Sequence, residues 1–167
     1  MTNYPQIPEI ENKIIERYFA LLERAPKVDK DTLSITINDV KSNEFPFEFY
    51  KRHDFGGPHL EYSEDGQMSL IFTERGQVID RIDTYDLEEI MYELFRGVAG
   101  RASQFELWTR YKRDPKSDSR RVWMPLSVAF MAMIKPGWGQ RLQKHYDEVL
   151  TRAPYTNSEM IKDSSTL

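Results

Sequence analysis

The side chains of this sequence that could do chemistry are poor in histidine and rich in carboxylate. The histidines are His53, His59 and His145, and cysteine is absent. The run His59-Leu60-Glu61 puts an imidazole and a carboxylate on the same side of a strand, with His53 and Asp54 shortly before it. Such a pair could begin a metal site or an acid–base couple. A metal, however, needs about three or four converging ligands and a supporting shell. The same spacing describes two polar residues on the solvent face of a strand, and that reading is preferred, so no metal ligand is assigned. Further carboxylates lie at Glu64, Asp65, Glu74, Asp80, Asp83, Asp86, Glu88 and Glu89. Their spacing singles out no acid and base, and a solvated acidic surface accounts for them. No phosphate-binding glycine loop, nucleophile elbow or zinc-binding helix motif is present. Ser103 and Ser127 fall in helical patterns with no histidine close by in sequence. The expectation is a protein without catalytic residues and without a cofactor.

Arg110, Lys112, Arg113, Lys116, Arg120 and Arg121 form the one basic cluster, flanked by Trp108, Tyr111 and Trp123. Cations beside aromatic rings can grip phosphates and stack bases. Arginines at a helix end that complement carbonyl oxygens have the same composition. The formal net charge of -4 favours the second reading, because nucleic-acid binding calls for a basic surface. No nucleic-acid partner is expected.

The elements that must position these groups follow from size and periodicity. A chain of 167 residues with 40% hydrophobic and 30% charged content is enough for one core. Without cysteine there is no disulfide, thiolate metal site or cysteine nucleophile. The start Met1-Thr2-Asn3-Tyr4-Pro5 lacks the regions of a secretory signal. The apolar stretch from Met124 to Ile134 falls far short of the ~20 residues that span a bilayer. A cytoplasmic protein with no membrane partner is expected, its oligomeric state open.

Ile7, Ile10, Ile14, Tyr18, Leu21 and Leu22 recur at helical spacing, with Pro26 as terminator. The period then becomes two. Leu33, Ile35 and Ile37, and then Phe45, Phe47 and Phe49, read as strands with one buried face each. Further strands are expected over His59–Ser63, Gln67–Thr73 and Gln77–Ile82, with turns at Glu64-Asp65-Gly66 and Arg75-Gly76. A helix capped by Asp83 or Thr84 follows, with Leu87, Ile90, Met91, Leu94, Phe95 and Val98 on one face. Gly97 and Gly100 weaken it or admit a close neighbour. Another helical segment carries Ala102, Phe105, Trp108 and Tyr111. A third runs over Arg120–Ile134 with Val122, Leu126, Ala129, Phe130 and Met133 inward, beginning near Met124 or kinked at Pro125. Pro136 opens a last helix burying Trp138, Leu142, His145 or Tyr146, and Val149. The fold class is therefore α+β: an N-terminal helix, an antiparallel meander sheet of about five strands, and a C-terminal helical bundle. It is read as one domain over 1–154 with a flexible polar tail over 155–167.

Three stretches carry a resemblance. They are Glu74-Arg75-Gly76, the run from Asp86 to Phe95, and the run from Ala102 to Leu107, followed by Ser119-Arg120-Arg121 and Pro136-Gly137-Trp138. In order and spacing they resemble the immunity protein 63 family of bacterial polymorphic toxin systems, over a little more than half the chain, from about Pro58 to Pro154. Pro125 departs from that pattern. The resemblance implies protection of a toxin-producing cell by binding of the cognate toxin protein, and it implies no catalytic residue. A surface that selects one partner needs aromatic or arginine anchors within a charged rim. The candidates for toxin binding are Glu61, Tyr62, Glu64, Asp65, Trp108, Tyr111 and Trp123, with Tyr50 beside them. A small enzyme using His59 and Glu61, and a nucleic-acid adaptor using the Arg110 to Arg121 cluster, are the competing readings.

Overall fold

Near the start of the chain, residues with apolar side chains four apart close one face of a helix. In the computed structural model, which describes residues 7–25, 47, 49–50, 57–111 and 117–156, α1 spans Ile7–Leu22 and buries Ile10, Ile14, Tyr18 and Leu21. Pro26 lies outside the described residues, as do Leu33, Ile35, Ile37 and Phe45. The chain contacts divide into two compact units. One is Met1–Ala20 with Ser42–Glu93, and the other is Leu21–Lys41 with Leu94–Leu167.

The first unit holds a three-stranded antiparallel sheet in the order β1 (Gly57–Tyr62), β2 (Met68–Glu74), β3 (Gln77–Thr84). Its turns follow from backbone chemistry. Glu74 pairs with Gln77 across Arg75 and Gly76, whose φ values of 49° and 77° are both positive, the combination that matches the right-handed twist of a hairpin. The β1–β2 connection closes through Ser63 N–H to Gln67 O and Gly66 N–H to Ser63 O, with Gly66 at φ 86°.

Three strands among the described residues replace the five expected. Phe47 is buried in a bend with its ring edge-on to Tyr18, and Phe49 joins Leu60 through an isolated parallel bridge, with its ring edge-on to Tyr62. Tyr50 then turns the chain out of extended geometry at φ 57°. That unusual conformation for a bulky residue is held by hydrogen bonds: the Tyr50 hydroxyl accepts from Tyr62 N–H and donates to Tyr62 O, while Tyr50 N–H donates to Leu60 O. β2 also departs from a half-buried strand, since Met68, Ser69, Leu70, Ile71 and Thr73 are all buried.

α2 runs unbroken over Leu87–Arg110, joining the two helical segments expected separately. Its cap is Asp86 rather than Asp83 or Thr84. The Asp86 carboxylate accepts from Glu88 N–H, and the Thr84 hydroxyl accepts from Asp86 N–H one step earlier. Ile90, Met91, Leu94, Phe95 and Val98 are buried as their spacing predicts. Gly97 and Gly100 neither end the helix nor admit a neighbour, for a Cβ at either would meet nothing within 4 Å.

In the second unit α3 (Arg120–Ile134) and α4 (Pro136–Arg152) form a hairpin through Lys135, with Pro136 at the first helical position of α4. α3 starts before Pro125, which stands exposed inside it. Its buried face is Met124, Ser127, Phe130, Met131 and Ile134, whereas Ala129 and Met133 are exposed. The expected face was rotated because Ser127, a polar residue, sits at the centre of the true one. Its hydroxyl is satisfied by the Trp123 carbonyl at 2.9 Å. In α4, Trp138, Leu142 and Tyr146 are buried and His145 is exposed. Gly139 lets the two helices approach. A Cβ there would lie 2.6 Å from Ala132 Cβ and 3.0 Å from its Cα.

Gly139→Ala is expected to destabilise the fold by about 1–3 kcal/mol through overpacking against backbone. Gly97→Ala, in open space on an exposed helix position, should stabilise it by roughly 0.5–1 kcal/mol. Urea denaturation of the two variants beside wild type checks both signs.

Candidate functional site

On β1, the side chains at 59 and 61 do share a strand, but not on a solvent face. His59 is fully buried, with Nε2 3.3 Å from a Glu61 carboxylate oxygen and Nδ1 without a hydrogen-bond partner among the described residues. Leu60, on the opposite side, is fully buried as well. Sequence periodicity predicts one covered face, and here both are covered. Among the described residues no group of three or more histidine, aspartate or glutamate side chains is placed to hold a metal. No helix among them is long and apolar enough to cross a membrane.

The next residue, Tyr62, belongs to the core. Its hydroxyl donates to Glu11 of α1 at 2.7 Å, and its ring packs edge-on to Tyr50 at 4.9 Å. Burial, and then the Glu11 carboxylate, push its phenol well above the usual range.

Glu64 and Asp65 project from the β1–β2 turn and are exposed. Asp65 is nonetheless ordered by its neighbours. It accepts from the Ser63 hydroxyl, from Gln67 N–H at 3.3 Å and from the Tyr85 hydroxyl at 2.8 Å. These bonds, Ser63 first, hold its carboxyl below the usual range. A second ordered acid lies on β3, where Asp83 accepts from Ser69 Oγ at 2.6 Å and from Arg81 Nε at 2.8 Å. Tyr85, Val78 and Ile79 are exposed large side chains that sequence reasoning did not select. Alternation predicts that half of β3 should be buried, and nothing in its sequence announces an exposed strand.

The aromatic candidates of the second unit part company. Trp108 is 62% exposed on α2. Tyr111 is half-buried, its N–H donating to Leu107 O. Trp123 is half-buried and packs edge-on to Tyr146 at 5.5 Å.

The described members of the basic cluster bond within the protein itself. Arg110 pairs with Glu106, one helical turn earlier, while Lys112, Arg113 and Lys116 lie outside the described residues. Arg120 makes a two-pronged pair with Asp118 (Nε–Oδ1 2.9 Å, Nη2–Oδ2 2.6 Å) and donates to the carbonyls of Ala153 and Pro154 at 2.6 and 2.8 Å. Asp118 accepts in addition from Arg120 N–H and from Thr156 N–H. Arg121 donates to Thr156 O, and its guanidinium stacks on the Tyr155 ring at 4.5 Å. Sequence reasoning missed Asp118, an isolated acid in a polar loop. Its role depends on the end of α4 returning to the start of α3.

Hydrogen bonds from Arg120, and then from backbone amides, hold the Asp118 carboxyl far below the usual carboxylate range despite its burial. A depressed folded-state value stabilises the fold above the unfolded value near ~4, and this is lost as pH falls toward the folded one. Asp118→Asn should lower stability by about 1.5–3 kcal/mol at pH 7, the range for hydrogen bonds to charged groups. The gap in melting temperature between the two proteins should stay level from about pH 7 to 5 and narrow steadily below about pH 4. Thermal melts across that range are the check.

A family model described as Immunity protein 63 matches residues 64–148. The matched region begins in the β1–β2 turn, carries the Glu64–Asp65 tip, β2, β3, α2 and α3, and ends within α4. No curated protein and no solved structure matches the chain. The match agrees with the resemblance seen in the sequence and takes in just over half of the 167 residues; the chain belongs to the immunity protein 63 family.

Proposed function

We propose that this immunity protein neutralises its cognate toxin by direct, tight, stoichiometric binding in the cytoplasm, without catalysis, as part of a polymorphic toxin system. The observation that carries the reading is the family match itself, which spans the Glu64–Asp65 tip and Trp108. An interface that must discriminate one partner is built from an anchor that loses water on binding and a charged rim that steers approach. In the second unit Trp108 has the size and exposure of an anchor, and in the first Glu64 and Asp65 have the exposure and charge of a rim; each unit offers its own candidate contact. Glu61 and Tyr62 in the first unit, and Tyr111 and Trp123 in the second, serve the fold or stand half-buried, so their part in binding is indirect: each supports the exposed residues of its own unit. The competing chemistries have less to work with. His59 lies where substrate does not reach, and Arg120 and Arg121 are already bonded to backbone carbonyls.

A pull-down from the source bacterium with bait at low nanomolar concentration should retain one protein carrying a toxin domain, at equal stoichiometry and with slow dissociation. Loss of all retained protein at that concentration, with the toxin shown to be expressed, would contradict tight neutralisation. Trp108→Ala should weaken the retained complex by about 2 kcal/mol or more, roughly thirtyfold, if it is an anchor. Its melting temperature should stay within a degree or so of wild type, because an exposed side chain contributes little to folding. Surface plasmon resonance together with a thermal melt separates the two effects.

A further inference from the structure

β3 is the outer strand of the sheet, pairing with β2 and, among the described residues, with nothing on its other side. Most of it stands in solvent: residues 77–81 and Asp83 are exposed. The register between β2 and β3 shifts at Phe72/Thr73, so that Ile79 has no partner across the ladder. Strict alternation of sides is interrupted there, and the consecutive residues Val78 and Ile79 are 50% and 63% exposed. At the other end of the strand Tyr85, 64% exposed, leans on Asp65. Among the described residues the edge is open, and such an edge, with apolar side chains at one end and an aromatic at the other, is a template for strand addition.

Charge decides which strand fits. Residues 57–93 contain ten acidic side chains and two basic ones, Arg75 and Arg81. Arg81 is already engaged by Asp83 and Ser69, which leaves Asp80 in solvent on the strand, Glu74 across from Gln77 at the end of β2, and Glu64 and Asp65 in the turn near the strand's far end. A second copy of this chain is a poor occupant. Its own β3 brings the same acids, and its β1 edge is already met by Phe49 and by the Tyr50 amide. We propose that β3 is a docking edge for an extended, lysine- or arginine-rich segment of the toxin, which adds as a further strand with apolar side chains over Val78 and Ile79 and cations over the acids. This rests on the toxin-binding reading above and names the surface and the chemistry of what it receives.

The test uses the full-length chain and two synthetic octapeptides, one alternating lysine with valine and the other glutamate with valine. Hydrogen exchange is followed residue by residue, and the same measurement is made with whatever protein the wild-type bait retains. The lysine–valine peptide, and the retained toxin, should slow exchange of amides within 77–84, and the glutamate–valine peptide should not. D80K should weaken the protection at least tenfold, whereas E148K, an equal change of charge at an exposed position of α4, should leave it within twofold. Equal protection by both peptides would overturn the inference. A retained toxin that leaves 77–84 unprotected would overturn it while toxin binding stands. Peptide protection with no toxin retained would remove the toxin as occupant, and concentration-dependent self-association protecting 77–84 would replace it with a second copy.

Discussion

A central strand whose side chains are covered on both sides has to export its polarity to its neighbours. β2 is such a strand: Met68 to Ile71 and Thr73 are all withdrawn from water. Its polar members are satisfied locally, as when Ser69 donates to Asp83 and accepts from Arg81. Burying a hydroxyl without a partner costs about 1–3 kcal/mol, so Asp83 and Arg81 are held to positions where they can serve it. The same demand leaves β3 as the strand that meets solvent. The positions of Asp83 and Arg81 on β3 therefore follow from how β2 is enclosed.

Elements were legible in the sequence where periodicity was long and uniform. The stripe from Ile90 to Val98 needed only its spacing, and the Arg75–Gly76 and Gly66 turns needed only their glycines. What escaped depended on partners distant in sequence. The inward face of α3 turns about Ser127, which hydropathy counts as a surface residue until its bond to the Trp123 carbonyl is known. His59 reads as half of an exposed polar pair because nothing local says that a second layer covers it. Phe47 and Phe49 have the alternation of a strand, yet Tyr50, held at positive φ by hydrogen bonds to the backbone of Tyr62, leaves extended geometry.

The candidate surface was legible to a similar degree and for the same reason. Composition picks out aromatic and acidic residues but does not distinguish an anchor from a wedge in the core. Tyr62 and Trp108 are alike to a sequence; the first is enclosed, with its hydroxyl on Glu11, and the second stands in water. Glu64 and Asp65 were recognisable because a hairpin tip is exposed whatever the rest of the fold does. Val78 and Ile79 were not, because an apolar pair in a strand is ordinarily core.

The clamp at Asp118, Arg120 and Arg121 touches its captive segment chiefly through main-chain atoms. It meets the carbonyls of Ala153, Pro154 and Thr156 and the amide of Thr156, with the ring of Tyr155 as the one side chain it engages. A grip on backbone is indifferent to spelling. Positions 153, 154 and 156 are thus free to drift through neutral substitution while the path of the chain is kept. Two exclusions apply: proline at 156 would remove the amide that Asp118 receives, and proline at 153 the amide that donates to the Val149 carbonyl. Lineages descended from this sequence should preserve the course of the segment longer than its letters.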